Sequence, residues 1–139
     1  MKRIARSALV EHAAREMFDL VEDIESYPKF LPWCLDATVH ERSAAATRAT
    51  LTVGMRGLRQ SFTTHNENHP GEAIAMRLVR GPFRHFSAAW RFTPLSPQAS
   101  RIEFSLEYEF ASRALAKLLE PLFEHIADTM VDAFTRRAG

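Results

Sequence analysis

Several features that mark common protein classes are scarce or absent in this sequence. One cysteine, Cys34, in 139 residues excludes an internal disulfide and is too few for a zinc site. No apolar run approaches the roughly 20 residues that cross a bilayer. The N-terminus returns to charged residues before any long apolar stretch, so it is not a signal peptide. These absences predict one cytoplasmic domain over residues 1–139, without a transmembrane segment or a bound metal.

Neither sign of charge is in excess, because 18 basic residues face 17 acidic ones and the formal net charge is +1. The chain as a whole therefore has no strong attraction for nucleic acid or anionic lipid, but local patches are not excluded. Arginines are dense in the middle of the chain, at Arg56, Arg59, Arg77, Arg80 and Arg84. Two interpretations stay open: contact with ribosomal RNA or another phosphate, and solvated pairs with the glutamates of residues 103–109. The second is the more ordinary arrangement.

Residues that catalysis requires are also few. His65 and His69 are four apart, but they fall on a strand end and a turn with Pro70, where this spacing does not align metal ligands. Outward-facing glutamates suit cross-strand pairs with Arg77 and Arg91 better than acid–base chemistry. We therefore predict a binding protein without catalytic residues rather than an enzyme.

The sequence does contain clear changes of hydrophobic period. Residues 3–10 predict a first strand, and the helical spacing that follows predicts a short helix ending near Asp23. From Cys34 onward the period changes to two, and the alternation of apolar with polar side chains up to Phe110 predicts antiparallel strands with one buried face. After Ser112 the spacing becomes helical again, and Pro121 predicts a kink or a break in this last helix.

The last helix is the only long amphipathic element that can cover the apolar face of the sheet. The sequence therefore predicts an α+β fold, in which a curved antiparallel sheet of six to seven strands wraps around a long C-terminal helix. One or two short helices follow strand 1. A strongly twisted sheet leaves a gap between itself and the helix at one end, and these short helices would close it.

One connection is unusually apolar. The stretch VEDIESYPKFLPWC (residues 21–34) places Tyr27, Phe30, Leu31 and Trp33 where polar residues are usual, and two prolines restrict its backbone. Either these side chains form a gate over an internal cavity, or they are a fixed hydrophobic plug, and the sequence favours neither. On the gate hypothesis, residues 24–33 swing to admit a ligand, and Trp33→Ala or Phe30→Ala weakens ligand retention more than stability.

Large apolar side chains occupy every inward row of the predicted sheet and the facing stripe of the last helix. For any single residue, ordinary core filling is the simpler interpretation. The whole set favours a cavity, because polar residues such as Gln60 and Thr64 share these rows, and small-molecule sites combine apolar walls with a few polar points. The residues predicted to line it are Phe62, Met76, Trp90, Phe92, Phe104, Leu106, Tyr108, Leu119, Phe123, Ile126 and Met130.

The order of elements and several motifs resemble the START-like (Bet v 1-like) superfamily. The motifs are residues 21–34, GPFRHFSAAWRF (residues 81–92), and FSLEYEFASRALAKLLEPLF with MVDAFTRRA (residues 104–123 and 130–138). Within it the chain is similar to the coenzyme Q-binding family, which includes bacterial ribosome association toxin and has the older labels polyketide cyclase and lipid-transport protein. The resemblance covers nearly the whole chain, although Glu120-Pro121 stands near a point where the family's last helix has glycine.

The resemblance implies a helix-grip fold around an elongated apolar tunnel. It implies ubiquinone or another isoprenoid lipid as the ligand, carried for respiration. It also implies transient membrane contact while the ligand is exchanged, and no required cofactor. For some bacterial members it implies binding to the large ribosomal subunit, which blocks the joining of subunits and makes that subunit the alternative partner. A polyketide cyclase is the weakest alternative, because the inward rows offer little acid–base chemistry beyond Tyr108.

Overall fold

The computed structural model describes residues 1–139, and its seven strands form one antiparallel sheet with a long helix on one side. The predicted fold class is thereby confirmed. In chain order the elements are β1 (Lys2–Val10), α1 (Ala14–Glu22), a 3₁₀ helix (Ile24–Lys29), β2 (Cys34–Arg42), β3 (Ala46–Met55), β4 (Leu58–His69), β5 (Ala73–Arg80), β6 (Phe83–Ser96), β7 (Ala99–Phe110) and α2 (Arg113–Ala138).

The sheet is built from consecutive hairpins with one long-range addition. Strands β2 to β7 pair in chain order, and β1 pairs with the far side of β7, which gives the order β1-β7-β6-β5-β4-β3-β2. The first two strands of the chain are therefore the two edges of the sheet, and α1 with the 3₁₀ helix connects them. Register shifts in the β2–β3, β4–β5 and β6–β7 pairs bend the strands. These bends help the sheet to curve around α2.

Side-chain alternation sorts the residues of each strand between the two faces of the sheet. On β7, Phe104, Leu106 and Tyr108 are buried, whereas the residues between them are exposed or half-buried. The inner face packs against α2, and the outer face is mostly polar. This confirms the one-sided burial that the period of two predicts.

The short helix α1 covers one end of the inner face. Its buried residues Met17, Phe18 and Val21 follow the predicted helical spacing, and the Phe18 ring packs edge-on against Phe92 with their centroids 5.8 Å apart. The 3₁₀ helix continues directly from α1, and Pro28 is tolerated within it.

The long helix α2 begins at a side-chain cap, since Ser112 Oγ accepts a hydrogen bond from the Leu115 N–H at 3.2 Å. It then runs without interruption through Pro121, so the break that the sequence suggests does not occur. Pro121 lies on the exposed side of the helix, where water can replace the missing backbone hydrogen bond. Neither helix combines the length and the hydropathy that crossing a bilayer requires.

Candidate functional site

An internal cavity of about 60 Å³ lies between the inner face of the sheet and α2. Its walls are apolar except at Thr64 and Asn66. A volume of this size holds one or two water molecules, so an isoprenoid chain enters only if the walls move. The lining residues are Ile24, Tyr27, Ala49, Leu51, Phe62, Thr64, Asn66, Met76, Phe86, Ala88, Trp90, Phe104, Leu106, Phe123, Ile126 and Met130.

Small side chains on inward rows create this space. Ala88 in β6 lies between Met76 of β5 and Leu106 of β7 in the strand register, and Ala49 of β3 pairs with Thr64 of β4. Protein interiors pack closely and leave few voids larger than a water molecule. The alanines keep the larger neighbouring side chains from closing the gap.

The cavity has one polar end, on the inner face of β4. Thr64 Oγ1 donates to Asn66 Oδ1 at 2.8 Å, and both residues are buried. Farther along the same face, Asn68 Nδ2 donates to Thr47 Oγ1 at 3.0 Å, and Thr47 Oγ1 donates to a Glu22 carboxylate oxygen at 2.8 Å. Polar side chains therefore extend from the cavity wall to the end of α1.

The connecting segment, residues 24–33, closes the cavity above α2. Tyr27 lines the cavity, and its hydroxyl donates to the Val21 carbonyl oxygen. Burial raises the pKa of this hydroxyl. The Tyr27 and Phe30 rings both pack edge-on against Phe134 of α2, with centroid distances of 5.4 and 5.2 Å, and the Arg137 guanidinium lies 4.9 Å from the Phe30 ring centroid. Aromatic contacts thus fix the segment to the helix.

A second attachment, which we name the Arg42 clamp, joins the segment to the sheet. The Arg42 guanidinium donates to both carboxylate oxygens of Glu25, at 2.6 and 2.7 Å, and to Glu22 Oε1 at 2.9 Å. It also donates to the Glu22 carbonyl oxygen at 3.0 Å. The hydrogen bond from Arg42 holds the pKa of the Glu25 carboxyl below its usual value. The clamp links the end of α1 and the 3₁₀ helix to the edge strand β2.

Nine of the fifteen side chains predicted for the cavity and gate line the cavity: Tyr27, Phe62, Met76, Trp90, Phe104, Leu106, Phe123, Ile126 and Met130. The structure places the other six elsewhere. Phe30 is half-buried beside α2, and Leu31, Trp33, Phe92, Tyr108 and Leu119 are buried in the surrounding core.

These placements change how the gate hypothesis is tested. Trp33 is 3% exposed, so its truncation would cost about 3–5 kcal/mol of stability and would obscure an effect on ligand retention. Phe30 is the better probe because it is only half-buried.

Seven lining residues are outside the predicted list: two alanines, two polar residues of β4, Ile24 of the 3₁₀ helix, and the strand residues Leu51 and Phe86. They are Ile24, Ala49, Leu51, Thr64, Asn66, Phe86 and Ala88. The alternation on β4 continues from Phe62 through Thr64 to Asn66, and this signal could have identified Asn66. Because the prediction selected large side chains, it did not include the two alanines.

Four exposed arginines, which we name the basic edge, lie at one end of the sheet: Arg56, Arg59, Arg80 and Arg84. They come from the β3–β4 and β5–β6 connections, which an antiparallel sheet places at the same end. Only Arg84 has a carboxylate partner, Glu109 at 3.3 Å. The interpretation of this cluster as solvated ion pairs therefore holds for Arg84 alone.

Arg91 and Glu103 are register partners across β6 and β7, but the predicted ion pairs of Arg77 and Arg91 do not form. Glu103 pairs at 2.9 Å with Arg101 of its own strand, and Glu107 pairs with Arg3 of β1 at 3.5 Å. Arg77 and Arg91 form no ion pair.

No group of three or more His, Cys, Asp or Glu side chains is placed to hold a metal ion. Cys34 is buried, and burial raises the pKa of its thiol to about 11. The Tyr108 hydroxyl is buried without a hydrogen-bond partner and does not line the cavity.

Comparisons with known proteins extend the sequence resemblance. A family model described as polyketide cyclase / dehydrase and lipid transport matches residues 10–135. The chain is 44% identical over 138 residues to the Vibrio cholerae ribosome association toxin RatA, covering 99% of this chain and 96% of that protein. It is 30% identical over 144 residues to the Xenopus laevis mitochondrial coenzyme Q-binding protein COQ10 homolog B, covering 99% of this chain and 59% of that protein.

Among solved structures, the crystal structure of the Zhui aromatase/cyclase from Streptomyces sp. R1128 has a TM-score of 0.85 at 17% identity. The match covers 99% of this chain and 93% of that one. At this identity the likeness concerns the fold alone.

Proposed function

Because the chain belongs to the polyketide cyclase / dehydrase and lipid transport family, we propose that it associates with the large ribosomal subunit through its basic edge. The supporting observation is that Arg56, Arg59 and Arg80 are exposed at one end of the sheet without carboxylate partners. The name of the 44% identical relative, ribosome association toxin RatA, supports the same partner. A ribosomal partner would place the protein in the cytoplasm.

Unpaired guanidinium groups at one edge are suited to phosphate. Arginine forms strong, charge-assisted hydrogen bonds with phosphate oxygens, and the release of counterions from RNA adds a salt-dependent gain for each phosphate neutralised. A protein bound at a subunit interface would block the joining of subunits, which is the outcome that the family resemblance implies.

The test is co-sedimentation with purified large ribosomal subunits. We expect R56Q/R59Q/R80Q to bind about 100-fold more weakly at 0.1 M salt, from the loss of three phosphate contacts. The control R15Q/R101Q/R136Q removes equal charge from exposed arginines that have carboxylate partners elsewhere, and we expect it to sediment like the wild type. Equal losses in both variants would contradict a contact at the basic edge.

A second candidate function is binding of an apolar small molecule, which the cavity favours. Its Thr64–Asn66 end offers polar groups for a carbonyl-bearing head group, and the remaining wall is apolar. Burying each CH₂ contributes about 0.8 kcal/mol, so a tail of a few isoprene units gives micromolar affinity. Ubiquinone or a related isoprenoid fits this chemistry. To open the cavity, the connecting segment would have to move away from α2. Exchange of the ligand would bring the protein into transient contact with a membrane.

The test of this second function is native mass spectrometry of protein taken gently from its host, followed by organic extraction. We expect a stoichiometric isoprenoid, and we expect Asn66→Leu to lower its occupancy. Apo protein that also takes up no ubiquinone from vesicles would contradict the proposal.

Polyketide cyclisation has less support than either function. Tyr27 is the only ionisable side chain of the cavity lining, and its hydroxyl already donates to the Val21 carbonyl. Tyr108, which the sequence suggests as an acid–base group, lies outside the lining.

A further inference from the structure

The outer face of the sheet has three basic side chains in direct register. Arg48 of β3 pairs with His65 of β4, and His65 pairs with Arg77 of β5. Neighbouring strands lie about 4.8 Å apart, so the row extends about 10 Å across three strands. The two guanidinium groups, one on each side of His65, place positive charge at both ends of this row. An anion that lies over the row would contact both of them.

The polar atoms of this row are not used within the protein. Arg48 Nε and His65 Nδ1 are shielded from solvent and have no hydrogen-bond partner, although native proteins leave few such groups unpaired. Glu41 is the β2 partner of Arg48 in the register, yet Arg48 and Arg77 form no ion pair. The guanidinium groups of the half-buried Arg48 and the exposed Arg77 therefore have no carboxylate partner in the protein and can contact an external anion.

An open groove of about 430 Å³ adjoins the row and leads towards the basic edge. Arg48 and one carboxylate, Glu41, line one part of it, and Arg80, a member of the basic edge, lines another. Between them lie hydroxyl groups, with Thr50 Oγ1 and Thr63 Oγ1 2.6 Å apart. Guanidinium and hydroxyl groups along one groove are the donors that phosphate oxygens accept from.

The charge distribution of the chain favours an extended anion on this face. Residues 46–92 contain seven arginines and two carboxylates, although the whole chain is near neutral. Most carboxylates lie instead on residues 16–25, on α2 or along β7. An anion that reaches from the row to the basic edge has to carry charge at several points along its length.

We propose that the outer face of β3, β4 and β5 binds the phosphate backbone of RNA through Arg48, His65 and Arg77. This inference rests on the proposed ribosome association and extends its contact from the basic edge onto the face of the sheet. Contacts of this kind fix position and do not read base sequence, so affinity depends on salt and little on the RNA sequence.

The test is fluorescence anisotropy with a labelled 20-nucleotide single-stranded RNA of mixed sequence. For R48Q/R77Q we expect about 25-fold weaker binding at 0.1 M salt. We also expect the slope of log K against log salt to fall by about 1.4, since each contact with a single strand contributes about 0.7. The control R15Q/R136Q removes two arginines that pair with carboxylates on the helices and keeps the wild-type slope. Equal affinities and slopes for the two variants would overturn the inference.

Two further variants protect the test against misfolding. Arg77 is exposed, so R77Q alone retains the fold and should lose about five-fold in affinity. R48K/R77K keeps both charges and should bind more tightly than R48Q/R77Q. Loss of binding to phosphatidylserine vesicles in R48Q/R77Q, with no RNA binding by the wild type, would overturn the inference and assign the face to a membrane.

Sedimentation with large subunits separates this inference from the proposed function. If the wild-type protein does not sediment with large subunits but binds RNA through Arg48 and Arg77, the ribosomal function is refuted and the phosphate-binding face stands. If R56Q/R59Q/R80Q no longer sediments, while R48Q/R77Q sediments and binds RNA like the wild type, only the inference about the sheet face is refuted.

Discussion

Replacement of Arg42 by methionine tests whether one side chain holds the connecting segment against the sheet. The methionine keeps most of the aliphatic stem and removes every donor of the Arg42 clamp. Four hydrogen bonds are lost: three to the carboxylates of Glu22 and Glu25, and one to the Glu22 carbonyl. Thr47 remains as a donor to Glu22, so that carboxylate is not left unpaired.

The size of the effect follows from exposure. The Arg42 side chain is 35% exposed, against 20% for Glu22 and 49% for Glu25, so each ion pair contributes about 0.2–1 kcal/mol. The hydrogen bond to the carbonyl adds about 1 kcal/mol. The expected loss is therefore about 2 kcal/mol. With an unfolding entropy of about 2.1 cal/mol/K per residue, this lowers the Tm by about 7 °C.

The effect should also depend on pH. The pKa of the Glu25 carboxyl lies below its ordinary value of 4.5, first because Arg42 donates a hydrogen bond to it. A pKa that is lowered in the folded state adds stability above the unfolded-state value and loses it as the pH falls through the folded value. The difference between wild type and R42M is therefore full at pH 7 and shrinks below about pH 4.5.

Urea unfolding at pH 7 and at pH 3.5 measures both quantities. The control is R136M, which removes an exposed pair with Asp132 within α2 and should change stability by less than about 0.5 kcal/mol. A loss below about 1 kcal/mol at pH 7, or an equal loss at both pH values, would refute the role of the clamp.

Three further predictions concern the interior. Ala88→Leu should fill the cavity and abolish uptake of an apolar fluorescent probe. The control Ser87→Leu, on the outer face, should leave uptake unchanged. Uptake by both variants would contradict the assigned cavity. Because burial raises the Cys34 thiol pKa to about 11, native protein at pH 8 should react with a thiol reagent about 100- to 250-fold more slowly than unfolded protein if the thiolate fraction alone decides, since an unfolded cysteine has a pKa of about 8.5–9. Gly54→Ala would bring its Cβ into overlap with the Leu58 carbonyl oxygen and should cost about 1–3 kcal/mol in urea unfolding; unchanged stability would show that the β3–β4 hairpin relaxes freely.

The sequence predicts which face of the sheet a residue lies on better than it predicts the packing between the sheet, the connecting segment and α2. Period-two alternation assigns Trp90 and Phe104 to the inner face because the pleat fixes side-chain direction. The direction of Leu31 and Trp33 was not predictable, since the turns of the connecting segment have no regular period. The size of the cavity depends on how the large neighbouring side chains close around Ala88, which volumes summed along a sequence do not reveal.

Ion pairs were the least predictable feature. Alternation places Arg91 and Glu103 on the outer face, and they are indeed register partners, yet Glu103 bonds Arg101 of its own strand. Arg42 and Glu25 are 17 residues apart, and their contact depends on the path of the segment between them. Side-chain choices of this kind depend on distances of an ångström or two, which sequence patterns do not specify.

The position of β1 has a consequence for how the chain matures during synthesis. Its only strand partner is β7. Since β7 is synthesised about 5–20 s after β1 at common rates of elongation, β1 has no strand to pair with during that time. Throughout that interval β1 offers an unpaired edge to other nascent chains. Lys2, Arg3 and Arg6 repel such neighbours, and on completion Lys2 and Arg6 pair with the carboxylates of α2. These charges that deter aggregation early therefore also secure the last closure of the sheet.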